Sequence, residues 1–131
     1  MILDTNFLID LLKGEDEMVR NIAEELDKKF SIKGIASISV MELWRGAAQS
    51  IKKDEEKRKV NDLLDSLVIY NFSEHEAKKS GEIESNLVSE GKMIDIEDVM
   101  IAGTALTKGE KIITRNVKHF ENIPSLKVQS Y

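Results

Sequence analysis

Short apolar segments alternate along this chain with longer segments that are rich in charged residues. Four of the short segments have the composition of buried strands, and they lie at 1–3, within 30–39, at 68–72 and at 111–115. A final short strand is predicted at 126–130. Strands that alternate with helices form a parallel sheet with helices packed on both faces. The chain is therefore predicted to fold as a three-layer α/β/α sandwich with a central parallel sheet of four or five strands.

The segments between the predicted strands carry apolar residues at helical spacing. In one of them, Met18, Ile22 and Leu26 recur every fourth residue among charged neighbours, which is typical of an amphipathic helix. Gly14 and Gly109 follow such segments at positions where glycine commonly ends a helix. The predicted helices cover 7–14, 15–29, 39–51, 54–67, 73–91 and 98–109.

The composition of the chain limits the classes of protein to which it can belong. The length of 131 residues predicts one domain over 1–131, and the chain contains no cysteine. No apolar run approaches the ~20 residues that a membrane-spanning helix needs, and the N-terminal segment lacks the basic start of a secretory signal. We therefore expect a cytoplasmic protein without a membrane span. The 19 basic and 24 acidic residues give a net charge of −5, which argues against nucleic-acid binding over the whole surface but permits local basic patches.

Polar residues stand where several of the predicted strands end. Asp4 follows the first strand, and Asn116 comes directly after the fourth. Glu42 is predicted in the first turn of the helix after the second strand, and Asp98 is predicted to begin the helix that leads into the fourth. Ligands of open parallel sheets bind outside the carboxyl ends of the strands, at the point where the strand order reverses. We therefore expect these four residues to converge at one edge of the sheet.

Each of these residues also has a structural interpretation. Asp4 is placed to cap the helix that follows it, and Ser39 with Glu42 has the spacing of a capping box. The acids of the segment IDIED, which ends at Asp98, are suited to a helix start, and Asn116 to a turn. Taken one at a time, the structural interpretation is favoured for all of them except Asp4.

The combination of acids favours chemistry. Two carboxylates ~4 Å apart repel by about 4 kcal/mol at an effective dielectric constant near 20, so a cluster of them needs a cation or a proton. Carboxylate ligands without cysteine or histidine suit Mg²⁺ or Mn²⁺, which often bind a substrate phosphate as well. Hydrolysis of a phosphodiester is the reaction that such a site fits best.

Four blocks of the chain resemble one known family. MILDTNFLIDLL, SISVMELWRGA, DVMIAGTAL and IITRNVKHFENIPSLKV are similar, in order and spacing, to the PIN-domain ribonucleases, and above all to the VapC-type toxins of toxin–antitoxin pairs. The resemblance implies a metal-dependent endoribonuclease that uses Mg²⁺ or Mn²⁺ and acts on RNA. It also implies a small antitoxin protein as partner, and a homodimer. By the same resemblance, Asp4, Glu42 and Asp98 match the family's three acidic metal ligands.

The resemblance also assigns the residues around these acids. Thr5 and Asn6 match the polar pair after the first acid, and Thr114 matches a hydroxyl before the fourth ligand position. That fourth position, often Asp in the family, is Asn116, which offers an oxygen ligand without a charge. A second metal ion would therefore be held less strongly. Among the basic side chains, Arg115 adjoins the predicted site most closely and is the best candidate for a phosphate contact. His119, where relatives are often acidic, is predicted to lie in a surface loop.

Two other classes of protein also place acids at the edge of a parallel sheet, and the sequence argues against both. Phosphotransferases of the haloacid-dehalogenase type need a second Asp two residues after the first, and this chain has Asn6 there. Receiver domains carry their phosphorylated Asp at the end of a mid-chain strand, and the predicted second and third strands end without one. Two alternatives stay open: a PIN nuclease of housekeeping RNA processing, and a degenerate PIN domain that acts as a non-catalytic binding module.

Overall fold

The structure is a computed structural model that describes residues 1–29 and 32–131. Within these residues, five parallel strands form one sheet in the order β3-β2-β1-β4-β5. The strands are β1 (Ile2–Leu3), β2 (Gly34–Ala36), β3 (Val68–Tyr70), β4 (Ile112–Ile113) and β5 (Val128–Gln129). The predicted parallel sheet is confirmed, including its fifth strand. The second strand had been predicted within 30–39, of which positions 30 and 31 lie outside the described residues.

Helices cover both faces of the sheet, as the sandwich architecture requires. They are α1 (Thr5–Lys13), α2 (Glu17–Lys29), α3 (Ser37–Ala48), α4 (Lys53–Asp65), α5 (Glu74–Ser89), α6 (Ile96–Lys108) and α7 (Val117–Phe120). Gly14 and Gly109 end α1 and α6 with φ near +67°, the left-handed conformation that glycine adopts without strain. No helix in the described ranges is long and apolar enough to cross a membrane.

The strand order reverses between β1 and β4. The chain adds β2 and β3 on one side of β1, and then places β4 and β5 on the other side. The ladder between β1 and β4 pairs Leu3 with Ile113, and the backbone N–H of Asp4 donates to the carbonyl of Ile113 at 3.0 Å. Asp4 and Thr114, the residues that follow these two strands, therefore leave the sheet side by side at the switch point.

The sheet separates two hydrophobic cores. Successive residues of a strand point to opposite faces, so the buried pair Ile2 and Ile112 belongs to one core and the buried pair Leu3 and Ile113 to the other. The first core also contains Phe120 of α7, which is 1% exposed. Burial on both faces explains why the central strands are wholly apolar rather than alternating.

An ionised group buried between α5 and α6 was not predicted. Glu76 is 1% exposed, accepts a hydrogen bond from the Ser73 hydroxyl at 2.6 Å, and lies 3.2 Å from the ammonium of Lys108. These contacts, with the hydrogen bond from Ser73 as the largest influence, lower the pKa of Glu76 to about 2. Ser73 and Glu76 have the spacing of a capping box, but their side chains bond to each other, and Ser73 makes no capping hydrogen bond to the backbone. The acid pairs with α6 instead.

The two helices approach closely at Gly103. A Cβ atom added there would lie 2.0 Å from the Ser80 hydroxyl oxygen and 3.1 Å from the backbone carbonyl oxygen of Glu76. Gly81, one residue further along α5, has open space at the same test. Since α6 also carries Asp98 at its start, this contact fixes the helix that presents one of the candidate site acids.

Gly103→Ala is expected to destabilise the protein, and Gly81→Ala is its matched control. Overpacking a tight contact costs about 1–3 kcal/mol, which exceeds the ~1 kcal/mol that alanine gains over glycine in a helix. The control variant receives only that gain, so its free energy of unfolding should rise. Urea unfolding followed by circular dichroism measures both changes. A Gly103→Ala variant as stable as Gly81→Ala would contradict the close packing.

Candidate active site

Asp4 joins the ends of β1 and β4. Its side chain is 3% exposed and caps α1, where one carboxylate oxygen accepts from the backbone N–H of Thr5 at 2.9 Å. The other oxygen accepts from the Thr114 hydroxyl at 2.7 Å. Burial raises the pKa of Asp4 above its usual range, while the hydrogen bonds from Thr114 and Thr5 act in the opposite direction. The capping interpretation is therefore right, but it accounts for only one of the two oxygens.

Glu42 is held beside Asp4 by the residue that follows Asp4 in the chain. The Thr5 hydroxyl donates to the Glu42 carboxylate at 2.8 Å, and it lies 2.7 Å from the hydroxyl oxygen of Ser39. Burial is the largest cause that raises the pKa of Glu42, and the negative charges of Glu97 and Asp4 raise it further. Residues of α1 and α3 thus share one hydrogen-bonded cluster.

The capping box predicted for Ser39 and Glu42 is wrong. Helix α3 begins at Ser37, with Ala36 as its N-cap residue, so Glu42 lies in the second turn rather than the first. Ser39 is buried and faces Thr5 instead of a free backbone amide. The physical reason is that α3 follows β2 without an intervening loop, which moves its start two residues toward the N-terminus.

Asp98 is the third residue of α6, because that helix begins at Ile96 rather than at Asp98 itself. Its carboxylate lies 2.8 Å from Nδ1 of His119, and its side chain is 16% exposed. Burial, followed by the negative charge of Asp4, raises the pKa of Asp98 to about 6, against the opposing influence of His119. The charge of Asp4 therefore acts on both Glu42 and Asp98, so the structure brings the three predicted acids into one electrostatic cluster.

Basic side chains compensate the cluster only weakly: the positive charge of Arg45 lowers the pKa of Glu42, but less than burial raises it. In residues 1–29 and 32–131, no lysine or arginine forms an ion pair with Asp4, Glu42 or Asp98. The donor chemistry therefore fits a hard divalent cation, since the oxygens are anionic, partly dehydrated and mutually repelling. In the same ranges, no three Asp, Glu or His side chains are arranged so that they would enclose such an ion as they stand. Hydrogen bonds hold the carboxylates of this site in their present orientations.

The other predicted residues fall into two groups. Thr5 and Thr114 donate to the acids, as described above. Asn6 is exposed on the first turn of α1, and Asn116 is partly buried and donates its backbone N–H to the Thr114 hydroxyl at 3.0 Å. The roles of the Asn6 and Asn116 side chains stay predictions.

Arg115 forms its ion pairs with carboxylates other than the three acids of the site. Its guanidinium is 3.2 Å from the carboxylate of Asp16 and 3.8 Å from that of Asp10, and it stacks 5.1 Å from the ring centre of Tyr131. The hydrogen bond with Asp16 is the main influence that raises the pKa of Arg115. Although Arg115 is adjacent to Thr114 in sequence, its side chain pairs with α1 and with the residue before α2.

Two residues at the site were missed by the sequence analysis. The sequence places Ser39 in a helix cap and His119 in a surface loop. In the structure, Ser39 contacts Thr5, the residue that donates to Glu42, and His119 contacts Asp98. The only available signal was indirect: His119 is one residue before Phe120, a large apolar residue that anchors α7 in the core. A buried neighbour fixes the backbone position of His119, but does not specify which side chain it meets.

The strand order and the acids at the switch point define an α/β protein of the doubly wound class with a candidate metal site. Comparison with known families matches residues 1–126 to the PIN domain. A tRNA(fMet)-specific endonuclease VapC of Salmonella typhimurium is 30% identical over 99% of this chain and 96% of its own length. The chain belongs to the PIN-domain family.

Solved structures agree with this assignment. The chain is similar to one in the structure of VapBC2 from Rickettsia felis bound to a DNA fragment from its promoter, with a TM-score of 0.90 and 29% identity. That match covers 99% of this chain and 97% of the other. A toxin–antitoxin complex from Klebsiella pneumoniae matches at a TM-score of 0.74 and 29% identity, over 95% and 93% of the two chains.

Asp98→Asn is expected to change the pH dependence of stability. The folded-state pKa of Asp98 is about 6, and an unfolded Asp has a pKa of about 3.9. The folded protein therefore binds this proton more tightly, and the contribution of Asp98 to stability falls as pH rises from about 4 to about 6. In the presence of chelator at pH 7, Asp98→Asn should exceed the wild type in free energy of unfolding by about 1–2 kcal/mol. At pH 4 this advantage should largely disappear.

The exposed Asp62, in α4, provides the control. Asp62→Asn should show a constant difference from the wild type over the same pH range, measured by urea unfolding. If Asp98→Asn and Asp62→Asn gave parallel curves, the electrostatic strain at the site would be refuted.

Proposed function

We propose that this protein is a divalent-metal-dependent endoribonuclease and the toxin of a toxin–antitoxin pair. The observation that carries the proposal is the acidic cluster of Asp4, Glu42 and Asp98, in which Asp4 is buried and the other two acids are partly buried. In the described part of the chain, none of the three forms an ion pair with a lysine or arginine. The names of the relatives support RNA as the substrate, since the Salmonella relative is called a tRNA(fMet)-specific endonuclease. RNA hydrolysis by such a toxin would take place in the cytoplasm. We propose further that residues 1–131 act as one domain, because all five described strands share one sheet.

Mg²⁺ or Mn²⁺ is the cofactor that we propose for this site. Asp4, Glu42 and Asp98 would hold the ion, with the Asn116 side chain as an additional neutral oxygen donor. When bound, such a cation lowers the pKa of water and neutralises the charge of the phosphodiester. With one neutral residue at the fourth position, the charge of the site suits one ion better than two.

The residues of the chain have separate parts in the proposed hydrolysis. One carboxylate of the site, Glu42 or Asp98, would accept a proton from the attacking water. Thr5 orients Glu42 and Thr114 orients Asp4, each through a hydrogen bond of 2.7–2.8 Å. This leaves the substrate phosphate to be positioned by the cation and by side chains at the rim of the site.

An antitoxin protein is the partner that we propose. A pocket of about 460 Å³ lies beside Glu42 between α1, α3 and α4. Its lining combines charged side chains with a set of apolar ones, Ile9, Leu12, Leu43, Ala47 and Val60. An apolar helix of a partner would fill this pocket and cover the acidic cluster at its end. The toxin–antitoxin complex that resembles this chain supports such a partner. A homodimer stays a prediction, which the molar mass in light scattering would test.

Purified protein should cleave RNA in Mg²⁺ or Mn²⁺ and stop when chelator is added. Asp4→Asn and Glu42→Gln should each lower the rate by about 10²-fold or more, because both substitutions remove charge from the proposed cation site. Both substitutions keep the shape of the side chain and one accepting oxygen, for the Thr5 N–H at position 4 and for the Thr5 hydroxyl at position 42. Circular dichroism checks that both variants are folded. Gel analysis of total bacterial RNA and of an end-labelled oligonucleotide measures the rates.

The Asp62→Asn variant, in which an exposed acid of α4 is changed, should cleave RNA at the wild-type rate. Cleavage that resists chelator, or that survives Asp4→Asn unchanged, would contradict the proposed chemistry. Metal binding without cleavage of any RNA would favour the degenerate PIN domain as a binding module. Active protein that forms no complex with the product of a neighbouring small gene would favour housekeeping RNA processing.

A further inference from the structure

A single short segment of the chain holds two of the three acids. Thr114, at the end of β4, donates to Asp4, and His119, in α7, meets Asp98 at 2.8 Å. Between them, the backbone N–H of Asn116 donates to the Thr114 hydroxyl at 3.0 Å. The segment 114–120 therefore connects the carboxylates of Asp4 and Asp98, which are far apart in the sequence.

The segment has a rigid base. Phe120 is 1% exposed in the core, and the backbone N–H of His119 donates to the carbonyl of Asn116 at 3.0 Å. The next turn closes with a 3.0 Å bond from Glu121 to the carbonyl of Val117. The backbone of His119 is thus fixed on both sides, while its side chain is 46% exposed and reaches out to Asp98.

We propose that His119 is a positioning residue, whose imidazole engages one oxygen of the Asp98 carboxylate and limits its rotation, so that the other oxygen is presented to a cation. An ionised Asp98 only accepts hydrogen bonds, so Nδ1 of His119 carries the proton and donates it. Of the two Asp98 oxygens, this bond engages Oδ2 and leaves Oδ1 available. Hydrogen bonds to a ligand carboxylate fix its direction, and their removal commonly weakens metal affinity by about 10–100-fold.

The inference rests on the proposed function, because it assumes that Asp98 binds a cation. It goes beyond that function by assigning a specific task to a residue that is neither an acid nor a metal ligand. It also predicts which part of the imidazole matters: the Nδ1–H group, whose place an asparagine amide can take, rather than the ring as a whole.

The test is the affinity of the apo protein for Mn²⁺, measured by isothermal titration calorimetry. His119→Ala should weaken Mn²⁺ binding about tenfold, and circular dichroism checks that the variant remains folded. His119→Asn, whose amide N–H can occupy the place of Nδ1–H, should restore most of the affinity. His75→Ala, at the other histidine of the chain, is the matched control on the exposed side of α5 and should bind as the wild type does.

Three other results would overturn the positioning role of His119, and they differ in what they imply for the proposed function. Equal Mn²⁺ affinity in His119→Ala, His75→Ala and the wild type would overturn the positioning role while leaving the proposed function intact. A loss of affinity that His119→Asn does not restore would also overturn it, since the imidazole would then act as a ligand itself. A wild-type protein that does not bind Mn²⁺ would overturn the proposed function, and this inference with it.

Discussion

The structure depends on a buried carboxylate, that of Asp4, at the point between β1 and β4 where the strand order reverses. Asp4 ends β1, caps α1 and accepts a hydrogen bond from Thr114 at the end of β4, so one side chain joins three elements. Hydrogen bonds to a charged group contribute about 1.5–3 kcal/mol each, and an unpaired buried charge would cost more. The position of the acid is therefore fixed by the fold, and the remaining site is assembled around it.

The same arrangement stores electrostatic strain. Three acids share one edge of the sheet, and their pKa values are raised. Hydroxyl groups of Thr5 and Thr114 and the imidazole of His119 contact them, while the charge of Arg45 lowers the pKa of Glu42 without forming an ion pair. Elsewhere the protein pairs its buried acid directly, as Glu76 with Lys108 shows. The basic Arg115, although adjacent in sequence to the site, is occupied by Asp16 and Asp10. In the described part of the chain, the acids at the switch point thus differ from Glu76, because none of them forms an ion pair with a lysine or arginine.

The sheet was predictable because its strands are short, apolar and regularly separated by amphipathic helices. The starts of α3 and α6 were misplaced by two residues, since their N-cap residues, Ala36 and Asp95, make no capping hydrogen bond with a side chain. The acids were predictable from their positions at strand ends. The partners of Arg115 and His119 were not, because adjacency in sequence does not determine the direction of a long side chain.

A crystal structure of the protein with Mn²⁺ would show whether Asp4, Glu42 and Asp98 bind a divalent cation. Anomalous scattering identifies Mn²⁺ without ambiguity from water, so its position can be read independently of the protein coordinates. We expect an anomalous peak among the carboxylates of Asp4, Glu42 and Asp98, with the hydrogen bond from Thr114 to Asp4 preserved. Mn²⁺ bound elsewhere, with these three acids directed away from one another, would contradict the proposed cation site.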